Sequence, residues 1–177
     1  MDSMKKHPLL TIDYHSTVKL TALEQRKIQE WLDVAGVVVG KLFAKSVIPA
    51  KVFKIQLSLL ICGEDRIRKL NKTYRHKDKV TDVLSFPANE NLRGAKKVAP
   101  ALFLGDLAIC HQQAKRQAKK FKISYMEEFI HLFFHGALHL LGYDHELSLK
   151  EEKLMLQWEE EALRIFSELK VKEKKGP

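Results

Sequence analysis

The sequence predicts an α+β fold in which a small mixed four-stranded sheet packs with about five helices around one central helix. Three observations lead there. Four short runs rich in β-branched and large apolar residues lie between turn signals, which is strand patterning. Helical segments separate them in no regular βα alternation. The segment between Ser124 and Gly142 is apolar almost all round, so it belongs inside the domain.

Element by element, Leu9 to His15 (LLTIDYH) alternates as a strand does. Thr21 with Glu24 forms a capping-box pair and opens a helix that runs to about Lys45. Gly36 and Gly40 are expected to interrupt it, and Pro49 closes the connection. Val52 to Cys62 reads as a long strand, Gly63-Glu64-Asp65 as a turn, and Asp65 to Tyr74 as a helix with Ile67 and Leu70 on one side. RHKDKVTD, starting at Arg75, is a loop. Val83 to Phe86 is a short strand stopped by Pro87, and Asn89 to Pro100 a surface loop.

Ala101 to Cys110 is the fourth strand, where Gly105 marks a bulge or a close backbone approach. His111 to Phe121 is a basic helix. Ser124 with Glu127, and Ser148 with Glu151, repeat the capping-box signature. They open the central helix and a final amphipathic one through about Leu169. Residues 1–177 are expected to form a single domain with flexible ends at about 1–8 and 171–177.

Charge narrows the partners. Thirty-one Lys and Arg against 22 Asp and Glu leave a net charge of +9. Such an excess suits a polyanion, nucleic acid above all, although a basic soluble protein needs no such partner. Cys62 and Cys110 form no CxxC pair, which argues against a redox motif and for buried thiols in a reducing cytosol. No secretory apolar core follows the N-terminus, and the apolar run at 34–40 is too short for a bilayer. A cytoplasmic protein without membrane contact is expected.

Function is concentrated in HGALHLLGYDH. His135 and His139 are four apart, so on a helix they share one face a turn apart. Gly142 can take the left-handed backbone that ends a helix and lets His145 return to the same point. Three neutral imidazoles with a position left for water are the ligand set of a catalytic zinc, although nickel, copper or cobalt also suit them. His131 would stand about 12 Å from His139 along the axis, too far to share an ion. It reads as a group behind the ligands or a satisfied core histidine. The spacing HxxxHxxGxxH is similar to that of metzincin proteases and makes the expected fold zincin-like. Those enzymes carry a general-base glutamate directly after the first histidine. Here Gly136 stands there, so a metal hydrolase is indicated and a peptidase of that mechanism is demoted.

HGALHLLGYDH, together with LNKTYRHKDKVTDVLSFP at 70–87 and LGDLAIC at 104–110, resembles the YbeY family of metal-dependent endoribonucleases. The likeness extends from about residue 50 to 160. It implies a single-strand-specific endoribonuclease active in ribosomal RNA processing, notably 3′-end maturation of small-subunit (16S) RNA, and in ribosome quality control. It also implies zinc on His135, His139 and His145, and a functional arginine at Arg75. Asp82 stands where the family often has Asn.

The residues agree with that chemistry. Arg75 offers a guanidinium fork to phosphate, although on its own it reads equally as an exposed loop charge. With His135 and His139 it forms the expected catalytic set. Lys77, Lys79, Lys115, Arg116 and Lys119 are candidate RNA contacts, or solvated charges. Thr81 and Ser85 serve either substrate or the turn. Asp144 and Glu146 lie near the metal, but neither is an obvious general base. Two other readings stay open: a metal-dependent hydrolase of another substrate, and a non-catalytic RNA-binding factor of ribosome assembly. The expected partners are single-stranded and ribosomal RNA and the small ribosomal subunit, with a monomer as the default.

Overall fold

The computed structural model describes residues 9–46, 54–89, 92–93 and 100–174. The chain runs β1 (Leu9–Ser16), α1 (Ala22–Ser46), β2 (Lys54–Cys62), α2 (Glu64–Arg75), β3 (Val83–Pro87), β4 (Ala101–Cys110), α3 (His111–Phe121), α4 (Tyr125–Leu140) and α5 (Leu149–Lys174). The four strands form one mixed sheet in the order β1-β2-β4-β3. The β1–β2 and β2–β4 pairs are parallel and β3–β4 is antiparallel, which leaves β3 as an edge.

Side-chain alternation divides the sheet into two faces. Ile55, Leu57, Leu59 and Ile61 of β2 join Leu102, Leu104, Leu107 and Ile109 of β4 on the inner face. Against them pack α1, through Ile28, Leu32 and Val38, and α4, through Phe129, Phe133 and Phe134. A smaller cluster of Cys62, Leu84, Ala108 and Cys110 lies on the other face under Ile67 of α2. Helix α4 buries eleven of its residues, as its apolar circumference requires. Both cysteines are buried and unbridged. Among the described residues no helix is long and apolar enough to cross a membrane.

Several boundaries differ from the sequence reading. Helix α1 runs unbroken through Gly36 and Gly40. Gly36 is there for proximity: a Cβ on it would come 3.1 Å from the Leu10 carbonyl oxygen of β1. Gly63 is the N-cap of α2 rather than a turn residue, and Arg75 is the last helical residue rather than the first of the loop. Helix α5 continues to Lys174, because no breaker precedes Gly176. Pro49, Val52, Phe53, most of the loop before Pro100 and the expected flexible end at 1–8 lie outside the described residues. Gly105 combines both expected roles. It has φ +134°, its Cβ would sit 2.2 Å from the Phe86 carbonyl oxygen, and the β2–β4 register shifts beside it.

Candidate metal centre

The site begins with the ends of α4. Ser124 Oγ accepts from Glu127 N at 3.2 Å, and the Glu127 carboxylate accepts from Ser124 N at 2.7 Å, the full capping box. At the other end Tyr143 N donates to Leu138 O and Gly142 N to His139 O, both at 3.0 Å. With Gly142 at φ +90°, this is a Schellman stop that turns the chain back across the last helical turn. Arg93 braces the return. Its guanidinium lies 4.4 Å from the centre of the Tyr143 ring and pairs with Glu151 in the first turn of α5. Asp144 Oδ1 accepts from Glu146 N at 2.9 Å, so Asp144 is committed to the turn beside His145.

This geometry collects His135, His139 and His145. Their ring centres are 4.8, 5.3 and 5.2 Å apart. One nitrogen from each lies within 4.8 Å of the others, close enough for the three to hold a single transition-metal ion. Burial, and then His135 and His145 beside it, push His139 down to about 4. At neutral pH that ring is therefore uncharged, the form a metal requires. Donor chemistry and spacing both fit one transition-metal ion.

Glu159, on α5, completes the arrangement and was invisible in the sequence. Its Oε1 lies 2.6 Å from His135 Nδ1. A proton held on Nδ1 leaves Nε2 with the free lone pair that a metal takes. The other carboxylate oxygen lies 3.9 Å from His131 Nε2, and Glu128 is 3.8 Å from the opposite ring nitrogen. His131 therefore stands outside the three-histidine group, between two acids, and is half-exposed rather than core. Burial pushes the Glu128 carboxyl up, His131 opposes this, and Asp82 adds to it.

Arg75 is tied to the same helix by two hydrogen bonds. Its Nη2 donates to Ser85 O at 2.9 Å, and Ser85 Oγ donates to Gly136 O at 3.2 Å. Ser85 is buried, so its hydroxyl serves this link rather than a substrate. Thr81 donates to Asp82, whose carboxylate also accepts from Val83 N and Gln117 Nε2 and so pins the start of β3.

The remaining cations separate. Lys77 and Lys79 project from a loop that buried Asn71 holds by accepting from Lys77 N and donating to Lys79 O. Lys115 pairs with Glu24 at 3.2 Å, and Arg116 pairs with Glu64. Lys119 is exposed on α3. The structure thus brings Arg75 to the histidine helix and draws Lys115 and Arg116 into ion pairs.

Gly136 explains the missing glutamate. A Cβ there would lie 2.1 Å from Leu107 Cδ1, on the buried inner face of the sheet. Glycine at this position lets α4 approach β4, and no side chain can project from it without repacking the core.

Comparison with known proteins matches this sequence to one family. The family model described as Endoribonuclease YbeY matches residues 13–167. A relative named Endoribonuclease YbeY from Aquifex aeolicus is 39% identical over 150 residues, covering 85% of this chain and 89% of its own. One of the same name from Mesoplasma florum is 32% identical over 157 residues, covering 89% and 87%. The solution structure of a Thermotoga maritima protein aligns with a TM-score of 0.59 over 91% of this chain and 93% of its own. At 23% identity, it supports the fold alone.

Proposed function

This chain belongs to the YbeY endoribonuclease family, and from that premise we propose a zinc-dependent, single-strand-specific endoribonuclease acting in ribosomal RNA processing. The wider role we propose is 3′-end maturation of small-subunit RNA and ribosome quality control in the cytoplasm. The observation that carries the reading is the convergence of His135, His139 and His145 on one point, with Arg75 fastened to the helix that bears two of them.

His135, His139 and His145 would hold the ion, and Glu159 fixes the ring of the first. Zinc held there would supply Lewis acidity toward a phosphoryl oxygen or a water near neutral pH. Arg75 binds the scissile phosphate. One of its N–H groups is engaged by the Ser85 carbonyl, which steadies the planar fork for a phosphate. A phosphodiester gains negative charge in its transition state, so a fixed guanidinium binds that state more tightly than the ground state. Lys77 and Lys79 extend the positive field along the loop, and exposed Lys119 adds a further RNA contact from α3. No proton acceptor projects from position 136, which separates this site from the glutamate-assisted peptidases.

Cleavage of a labelled single-stranded RNA tests the proposal, comparing wild type with His139→Ala and a duplex of the same sequence. The expected result is chelator-sensitive cleavage of the single strand that the variant lacks while it stays folded. Equal cleavage by the variant, or none by the wild type loaded with zinc, would refute it.

A further inference from the structure

We propose that Tyr74 is a stacking platform for one unpaired nucleobase of the RNA, next to the phosphate held by Arg75. This rests on the ribonuclease reading and adds a base-binding subsite to it. Helix α2 faces the sheet with a stripe at Ile67, Leu70, Asn71 and Tyr74, the spacing of one helical face. Ile67 and Asn71 are buried, yet Tyr74 is 61% exposed. The difference arises because β3 is the edge of the sheet. Tyr74, in the last turn of α2, meets that edge strand at Phe86.

What remains beneath Tyr74 is Phe86, edge-on at 5.1 Å between ring centres and 68° between planes. A large aromatic ring is thereby braced in place while most of its surface faces solvent. The neighbouring residue anchors to the same strand one position earlier: Arg75 donates to the carbonyl of Ser85. Ring and guanidinium are therefore held at consecutive residues of one edge strand, and Ser85 is bonded in turn to Gly136 beside the first histidine. Residues 64–79 carry seven Lys and Arg against three acidic side chains, so the surroundings attract a polyanion.

A single-stranded nucleotide supplies both complements, a phosphate for the fork and a π face for the ring. A base inside a duplex has both faces covered by its neighbours and cannot occupy the platform. Tyr74 would thus contribute to the preference for single strands.

The test is an abasic scan. A short single-stranded RNA with one cleavage site is prepared with the base removed at one position at a time, and kcat/KM is measured with the zinc-loaded full chain. Wild type should lose roughly tenfold at one position near the cleaved bond. Tyr74→Ala should lose the same factor on intact RNA and become insensitive to the abasic change at that position. Tyr74→Leu, which keeps an apolar contact with Phe86, should behave like Ala, whereas Tyr74→Phe should regain the sensitivity. A wild type indifferent to every abasic position, or a Tyr74→Ala variant still sensitive at the same one, overturns the platform and leaves the ribonuclease reading intact. A wild type that cleaves no RNA overturns both.

Discussion

Glu159 Oε1 lies 2.6 Å from His135 Nδ1, joining the first of the three histidines to a helix that begins only after the third. The contact fixes both the rotation of the ring and the nitrogen that carries its proton. An imidazole free to spin would spend much of its time presenting the wrong atom. A ring held this way presents its opposite nitrogen to a cation without a further ordering cost.

Removing that carboxylate should therefore weaken metal binding without touching a ligand. We expect Glu159→Ala to lower zinc affinity about 10- to 100-fold, and Glu159→Gln, which keeps an acceptor but no charge, to lower it less. Competition against a chromogenic chelator measures both. Affinity unchanged in the alanine variant would mean that the ring is held by packing alone.

Stability of the chelator-treated protein should fall in mild acid. Burial and the two neighbouring imidazoles hold His139 at about 4, against 6.5 for a free ring. Below 6.5 the unfolded chain therefore takes up a proton that the folded one refuses. The contribution is fully present above 6.5 and is lost as pH falls toward 4, amounting to about 3 kcal/mol at most. Urea unfolding at pH 7.5 and 5.0 should show the loss, and His139→Gln should reduce it. An equal pH dependence in that variant would assign the effect to other groups.

How much of this was legible follows from how local each signal is. The two-histidine turn, the Gly142 stop and the Ser124 cap are encoded within a few residues, and each formed as its spacing dictates. Glu159 is twenty-four residues from His135 in a helix crowded with acids, and nothing local separates it from Glu160 or Glu161. Only the packing of α5 on α4 selects it. Gly36 misled for the opposite reason: a glycine within a helical pattern looks like a break, whereas its role is the close approach to β1. The ion pairs of Lys115 with Glu24 and Arg116 with Glu64 join elements whose adjacency no periodicity reveals.

Gly136 should tolerate no side chain. An added methyl meets Leu107 in a packed layer, so Gly136→Ala is expected to cost about 1–3 kcal/mol despite the better helix propensity of alanine. Combining it with Leu107→Ala should recover part of that loss, a coupling that a double-mutant cycle in urea detects. Additive losses would show that the strain lies elsewhere. Gly136→Glu should likewise unfold or displace α4 rather than create a peptidase.

Arg75 separates charge from shape. Arg75→Lys retains a cation at the proposed phosphate site but cannot offer a planar fork while also reaching the Ser85 carbonyl. Arg75→Ala loses both, and frees a carbonyl at the sheet edge. We expect a fall in kcat/KM of about 10²-fold for the alanine variant and roughly tenfold for lysine. Salt dependence distinguishes the two losses. Deleting one phosphate contact should flatten the slope of log kcat/KM against log salt by about 0.7 for a single strand, while lysine should leave it nearly unchanged. If neither variant shifts the slope while both lose activity, Arg75 acts through its hydrogen bond to Ser85 and not through a phosphate contact. Its task would then be to hold β3 against α4 rather than to hold RNA.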